Sequence, residues 1–161
     1  MNALERLSRS INHWAECSLF GLGFTMSIIV AVQVFCRYAL NHSLFWSEEL
    51  ARYLLVWLTF LGASVAYRRG IHPGIDIVHV HMRASLQRIS AIFIHVISMV
   101  LFGVMIFFGV KFSYFVRLQI SPALYLPKWI IFSIIPVSGL IFMVHGVTFL
   151  LEEIQGRDHD N

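Results

Sequence analysis

The chain has 161 residues, of which 58% are hydrophobic and 13% are charged, and its mean hydropathy is +0.73. A soluble domain usually carries about a quarter charged residues, so this composition excludes an ordinary soluble protein. The formal net charge of +3 does not indicate a nucleic-acid binder, because the basic residues lie singly around apolar runs and do not cluster on one face. We therefore expect an integral membrane protein.

Four apolar runs are long enough to cross a bilayer, since a spanning helix needs about 18 or more mostly apolar residues. They leave no room for a soluble domain, so the chain is predicted to be one all-α membrane domain, 1–161. The predicted spans are 17–36, 44–67, 89–110 and 130–151.

The orientation is inferred from the basic residues of the short connections, because cytoplasmic loops carry an excess of lysine and arginine. The connection between the second and third spans contains Arg68, Arg69, Arg83 and Arg88. This pattern places that connection in the cytoplasm. With four spans, both chain termini are then also predicted to be cytoplasmic.

The segment 1–16 is predicted to be amphipathic. Its apolar residues recur at helical spacing among charged and polar ones: Leu4, Leu7, Ile11 and Trp14. The pattern predicts a helix at the inner surface that leads into the first span, and a membrane-sensing role is the alternative. At the other end of the chain, 152–161 is predicted to be a polar tail.

The second span begins with an unusual group of charges, after a short polar turn at 41–43. An ionisable group drawn toward the bilayer costs roughly 2.5–3.5 kcal/mol, so these charges need partners. Residues three and four apart share a helix face, so Glu48 and Glu49 are each expected to pair with Arg52. Trp46 and Trp57 lie nearby and are typical of interfacial anchoring.

The rest of this span offers a second possible contact surface. Gly62 and Ala66 are four residues apart, which allows another helix backbone to approach closely. Arg68 and Arg69 then mark the cytoplasmic end. The charges at both ends predict contacts with lipid headgroups or with a second protein.

The segment 71–88 mixes apolar and basic residues without a clean period. Apolar residues in it and just after it are spaced by four, four and three positions, which favours a helix lying in the membrane interface: Val78, Met82, Leu86 and Ile89. His72, His79 and His81 could bind a metal if they folded together, but their spacing is not a standard zinc pattern. We expect no metal site in this chain.

Two histidines lie at matching depths in the third and fourth spans, His95 and His145. Level histidines on neighbouring helices are what bis-histidine haem ligation requires. A haem-binding membrane anchor of a redox enzyme is therefore the alternative function. Buried histidines that hydrogen-bond across helices are the commoner arrangement.

Prolines divide the last part of the chain. Pro122 and Pro127 end any helix between the third and fourth spans, and Pro127 is well placed to start the fourth. Pro136 lies inside the fourth span, where it removes a backbone donor and is expected to distort the helix.

Two stretches of this sequence resemble the small membrane subunit, the Q-type or DctQ-like subunit, of tripartite ATP-independent periplasmic (TRAP) transporters. The first is F-W-S-E-E-L-A-R-Y-L-L-V-W-L-T-F-L-G-A-S at 45–64, followed by R-R-G-I-H at 68–72 and by Asp76. The second is S-P-A-L-Y-L-P-K-W at 121–129, with Pro136 further on. Together they extend over most of the chain.

The resemblance implies a non-enzymatic scaffold subunit in a bacterial inner membrane. Its implied partners are a large multispan membrane subunit, a periplasmic substrate-binding protein and membrane lipids. The complex would import an organic acid using an ion gradient, usually of sodium, with the sodium and substrate sites in the large subunit. No cofactor is implied for this chain.

The residues predicted to fix the register of this subunit against its partner lie on the second span and just after it. The predicted contact residues are Trp46, Glu48, Glu49, Arg52, Trp57, Gly62, Ala66, Arg68, Arg69, His72 and Asp76.

A self-contained small transporter is the remaining alternative function, but the sequence shows no internal repeat and no interrupted pair of helices.

Overall fold

A computed structural model describes residues 3–69 and 84–154. This part of the chain is helical apart from its connections and an isolated bridge between Ile120 and Pro127. The helices are α1 (Ala3–Ala39), α2 (Phe45–Arg68), α3 (Ala84–Phe115), α4 (Lys128–Phe132) and α5 (Ile134–Ile154).

The described residues contain four segments long and apolar enough to cross a membrane, so the predicted four-span, all-α architecture is confirmed. The cytoplasmic location of both chain termini stays a prediction. Of the predicted interfacial segment, 84–88 belongs to the start of α3, and 71–83 lies outside the described residues. The four segments are Glu5–Ala39, Phe45–Arg68, Ile92–Phe115 and Lys128–Leu151.

The N-terminal segment and the first span form one helix. With 37 residues, α1 is about 55 Å long at 1.5 Å per residue. It ends at Ala39, and Asn41, two residues further on, has a left-handed backbone with φ of 49°. The His42 amide donates to the Cys36 carbonyl at 3.0 Å, which closes the helix end and turns the chain into α2.

The helices pack as two antiparallel pairs, α1 with α2 and α3 with α5, and α2 lies against α5. Aromatic rings join the pairs at one end. Tyr67 of α2 meets the Phe102 ring of α3 edge-on at 5.3 Å between centroids, and Phe142 of α5 edge-on at 5.6 Å. Phe149 completes this buried cluster.

The α3–α5 pair is in close backbone contact. A Cβ added to Gly109 would lie 2.9 Å from Cδ of Pro136, and one added to Gly139 would lie 2.9 Å from Cγ1 of Ile106. Neither distance leaves room for a side chain. Glycine is therefore required at these two positions for the helices to meet as they do.

The fourth span is interrupted at Ser133, between α4 and α5. Pro136 has no amide hydrogen, so the carbonyl of Phe132, four residues earlier, loses its helical partner. The Ser133 hydroxyl donates to the Ile130 carbonyl at 2.7 Å in the preceding turn. The predicted distortion of this span is thus found one turn before the proline.

Candidate functional site

Glu49, at the start of α2, holds the loop that precedes α4. Its Oε2 accepts hydrogen bonds from the backbone amides of Ala123 at 2.7 Å and Leu124 at 3.1 Å. Its Oε1 accepts from the Tyr53 hydroxyl. Glu49 is only 5% exposed, so its charge is satisfied inside the chain, and we call this arrangement the Glu49 clasp.

The loop that Glu49 holds is closed by its own hydrogen bonds, which orient the two amides toward the carboxylate. The Ser121 amide donates to the Leu126 carbonyl at 2.9 Å, and the Leu126 amide donates to the Ser121 hydroxyl at 3.2 Å. Tyr125 turns the chain with φ of 54°. The Lys128 amide, which starts α4, donates to the Gln119 carbonyl at 2.9 Å.

Arg52 pairs with Glu48, as predicted, with 3.7 Å between Nη2 and Oε1. The predicted pairing of Glu49 with Arg52 is wrong, because backbone amides and Tyr53 occupy the Glu49 carboxylate. The side chains of Arg52 and Glu48 are 69% and 63% exposed. The two neighbouring acids thus have different environments: Glu49 faces inward and Glu48 faces outward.

The tryptophans of α2 differ in the same way. Trp46 is 44% exposed, whereas Trp57 is half-buried. Gly62 faces α1, since a Cβ there would lie 3.8 Å from Cδ2 of Leu19. Ala66 is half-buried. A role for these residues in contacting a second subunit stays a prediction. In the described structure, Gly62 packs within the chain, against α1.

At the other end of α2, the two arginines contact different helices. Arg69 pairs with Glu16 of α1 at 2.8 Å, and Asn12 also donates to this carboxylate at 2.9 Å. The Arg68 guanidinium lies 5.3 Å from the centroid of the Phe149 ring on α5. Contacts with a second subunit stay a prediction for both. The predicted contact residues His72 and Asp76 lie outside the described residues.

His145 is wholly buried and connects α5 to α1 through Ser8. Its Nδ1 lies 2.7 Å from the Ser8 hydroxyl, which is also fully buried. His95 packs against the Phe149 ring at 6.0 Å between centroids. His145 thus hydrogen-bonds across helices through Nδ1, which is the commoner arrangement for a buried histidine. The haem alternative stays a prediction. No group of three metal-ligating side chains occurs among the described residues.

Sequence reasoning missed Ser8, Glu16 and Ser121. Ser8 had a usable signal: it follows Leu4 by four residues and precedes Ile11 by three, so it lies within the apolar stripe of the helix. A hydroxyl in such a stripe indicates a buried partner. Glu16 is defined by its ion pair with Arg69, which is distant in sequence, so local pattern gives no sign of this contact. Ser121 closes its own loop through Leu126, and hydrophobic periodicity does not mark a loop contact of this kind.

The family described as tripartite ATP-independent periplasmic transporters, DctQ component, matches this chain over residues 26–156. The chain belongs to this family. The resemblance carried by the second span and by the loop before the fourth is therefore confirmed. As a DctQ-family member with four membrane-crossing segments, the chain is a multi-pass protein of the bacterial inner membrane.

Curated relatives of this DctQ-family chain are permease proteins. A Haemophilus influenzae relative named as a TRAP transporter small permease protein is 33% identical over 75 residues, which are 47% of each chain. The sialic acid TRAP transporter small permease protein SiaQ of Vibrio cholerae is 26% identical over 88% of this chain and 81% of its own length.

A third relative is much longer than this chain. The sialic acid TRAP transporter permease protein SiaT of Haemophilus influenzae is 29% identical over 76% of this chain but only 20% of its own length. This chain thus spans about half the length of one curated relative and a fifth of another. A segment like this DctQ-family chain occurs within a larger permease protein.

Proposed function

We propose that this chain is the small scaffold subunit of a TRAP transporter that imports an organic acid. A periplasmic binding protein would deliver the substrate, and a sodium gradient would drive uptake through a large multispan subunit. This chain would be neither an enzyme nor a substrate-binding protein. The family match over 26–156 carries the proposal, and the similar segment within the larger SiaT permease protein supports close association of the two kinds of subunit.

The polar side chains support a scaffold. Each of the buried polar or charged residues makes at least one hydrogen bond within the described part of the chain, and among them the Nε2 atom of His145 has no partner there. A substrate path through a membrane needs polar groups that can turn to the substrate. The buried polar residues are Ser8, Ser47, Glu49, Ser64, Ser121, Ser138, His145 and Thr148.

The exposed ion pair of α2 belongs to the predicted contact residues, and it is open to a partner. Glu49 is buried and holds the loop, whereas Glu48 and Arg52 are largely exposed at the same helix end. We assign Glu49 to the internal stability of the subunit and Glu48 with Arg52 to the contact with the large subunit. Polar groups at such a rim set register and specificity more than affinity.

Reconstitution tests the proposal. Proteoliposomes would contain this chain alone, this chain with its large subunit, the complete set with the binding protein, or the complete set without this chain, and uptake of labelled organic acids would be measured. We expect uptake only from the complete set with an inward sodium gradient. Uptake by this chain alone, or full uptake in its absence, would contradict the scaffold role.

A charge-swapped variant tests the assignment of Glu48 and Arg52. Arg52→Glu is expected to weaken co-purification with the large subunit. Adding Glu48→Arg restores the local ion pair, but the charges that the two positions present to the large subunit remain exchanged. The matched control is Arg37→Glu, which changes a charge near the same membrane face on α1. Equal co-purification of all these variants would remove the pair from the interface.

A further inference from the structure

An open groove runs along α3 next to the start of α5. It has a volume of about 910 Å³ and is lined almost entirely by apolar side chains. Val104, Phe108 and Lys111 follow at intervals of four and three residues, so they form one continuous stripe on the helix. Gly109 and Ile135 also line the groove, and Gly109 is one of the two glycines at which α3 and α5 approach closely.

The groove changes from apolar to cationic at the loop end of α3. Lys111 and Arg117 both line it there, and both are exposed. The Arg117 guanidinium lies 3.7 Å from the centroid of the Tyr114 ring, a stacked position that holds the cation in place and leaves its edges free to donate hydrogen bonds.

The two cations at the groove have no acidic partner in the part of the chain that is described. The described ion pairs are Glu48 with Arg52 and Glu16 with Arg69, and no acidic residue lines the groove. Among the described residues at this end of the helices, the cations Arg37, Arg52, Lys111, Arg117 and Lys128 exceed the acids Glu48 and Glu49. An anion is therefore the complementary ligand.

The depth of the cations favours a lipid over a helix of another protein. Lys111 lies in the last turns of the membrane-crossing segment Ile92–Phe115, and Arg117 lies just beyond it. Basic side chains near the end of a membrane-crossing helix extend toward the headgroup region, so both cations are expected to reach the phosphates. A protein helix packed on this stripe would bury Lys111 and would need an acidic partner for it. A phospholipid supplies both the chain for the groove and the anion for its end.

We propose that this groove is a binding site for an anionic phospholipid. The phosphate accepts hydrogen bonds from Arg117 and Lys111, and an acyl chain lies along Val104, Phe108 and Ile135. The site is separate from the exposed Glu48–Arg52 pair, and it does not depend on the scaffold role proposed above.

The test uses the full chain in nanodiscs or mild detergent, with dioleoyl phosphatidylglycerol as the probe and dioleoyl phosphatidylcholine as its uncharged counterpart. Binding is measured by native mass spectrometry or by quenching from a spin-labelled lipid. We expect the double variant Lys111→Gln with Arg117→Gln to bind phosphatidylglycerol about tenfold or more weakly, because charge-assisted hydrogen bonds are lost. Arg37→Gln, a cation outside the groove, is expected to bind normally.

A second variant tests the apolar half of the site. Val104→Trp keeps both cations but fills the groove, and it is expected to weaken phosphatidylglycerol binding while the thermal midpoint of the protein stays unchanged. Glycerol phosphate, which has the anion but no acyl chain, is expected not to compete.

Four outcomes would overturn the proposal. Equal binding of the two lipids, or equal binding by the double variant, would make the lipid part of an unselective shell. Competition by glycerol phosphate would make the site one for free phosphate. Protection of a cysteine placed at Val104 by the large subunit in the assembled complex would make the groove a protein interface.

Discussion

The two helix pairs of this protein are held together in different ways. Between α3 and α5 the backbones touch, and added Cβ atoms at Gly109 and Gly139 would each lie 2.9 Å from a neighbouring side-chain atom. Between α1 and α2 the helices are separated by side chains, and Cβ atoms at Gly62 and Gly23 would lie 3.8 and 3.9 Å from leucines. Glycine therefore has a different role in each pair, although in the sequence all four are glycines within apolar helical segments.

The pairs are joined to each other by polar contacts at both ends. At one end the Glu49 clasp attaches α2 to the loop before α4, and at the other the Ser8 hydroxyl bonds His145. We expect substitutions at these contacts and at the tight pair to be costly, and substitutions in the loose pair to be tolerated. Four variants test this comparison, from the largest expected effect to the smallest.

Glu49→Ala is expected to lower the thermal midpoint of the purified protein most, because it leaves two amides and the Tyr53 hydroxyl without their acceptor. Glu48→Ala makes the same change in charge one residue away but removes only an exposed pair, so its midpoint should stay near that of the native chain. Equal midpoints for the two variants would contradict the clasp.

Gly109→Ala is expected to cost about 1–3 kcal/mol of stability, because the added methyl meets the rigid ring and backbone nitrogen of Pro136. The control on the same helix is Gly103→Ala, whose methyl would lie 3.9 Å from the flexible end of Met143. Reversible unfolding in mixed detergent measures both. A native-like Gly109→Ala would mean that the α3–α5 contact is looser than described.

Ser8→Ala is expected to cost about 1–3 kcal/mol, because it leaves Nδ1 of the buried His145 without its partner. Ser27→Ala removes an exposed hydroxyl that bonds only the Gly23 carbonyl of its own helix, and should be close to neutral. Thermal midpoints of the two serine variants give the comparison. If Ser27→Ala is as damaging as Ser8→Ala, the contact between α1 and α5 has no special weight.

Gly62→Ala is expected to change stability by less than about 0.5 kcal/mol, since its methyl would make an ordinary contact with Leu19. A cost as large as that of Gly109→Ala would remove the distinction between tight and loose pairs. A stable Gly62→Ala variant that fails to co-purify with the large subunit would instead support the predicted role of Gly62 in subunit contact.

The sequence was sufficient for the architecture because the signals are local. Apolar runs longer than a bilayer crossing identify the spans, the polar turn at 41–43 separates α1 from α2, and Pro136 predicts the irregularity found at Ser133. Each of these features depends only on residues within one continuous segment of the chain.

The contacts between distant segments could not be predicted in the same way. Glu49 has an arginine three residues away, and helical spacing alone favours that pair. Its actual partners are backbone amides, which every residue carries and which no sequence pattern marks. Only the fold of the loop around Ser121 brings those amides to the carboxylate.

The Glu49 clasp also has a consequence for how the protein is made. Ala123 follows Glu49 by 74 residues, so the acid is synthesised long before the amides that satisfy it. Until the loop before α4 has been made, this carboxylate lacks the two amides that it bonds in the finished fold. The clasp can close only after the third span has been inserted and the loop has been made, which makes it a late step of biogenesis and a marker that distinguishes finished subunits from incomplete ones.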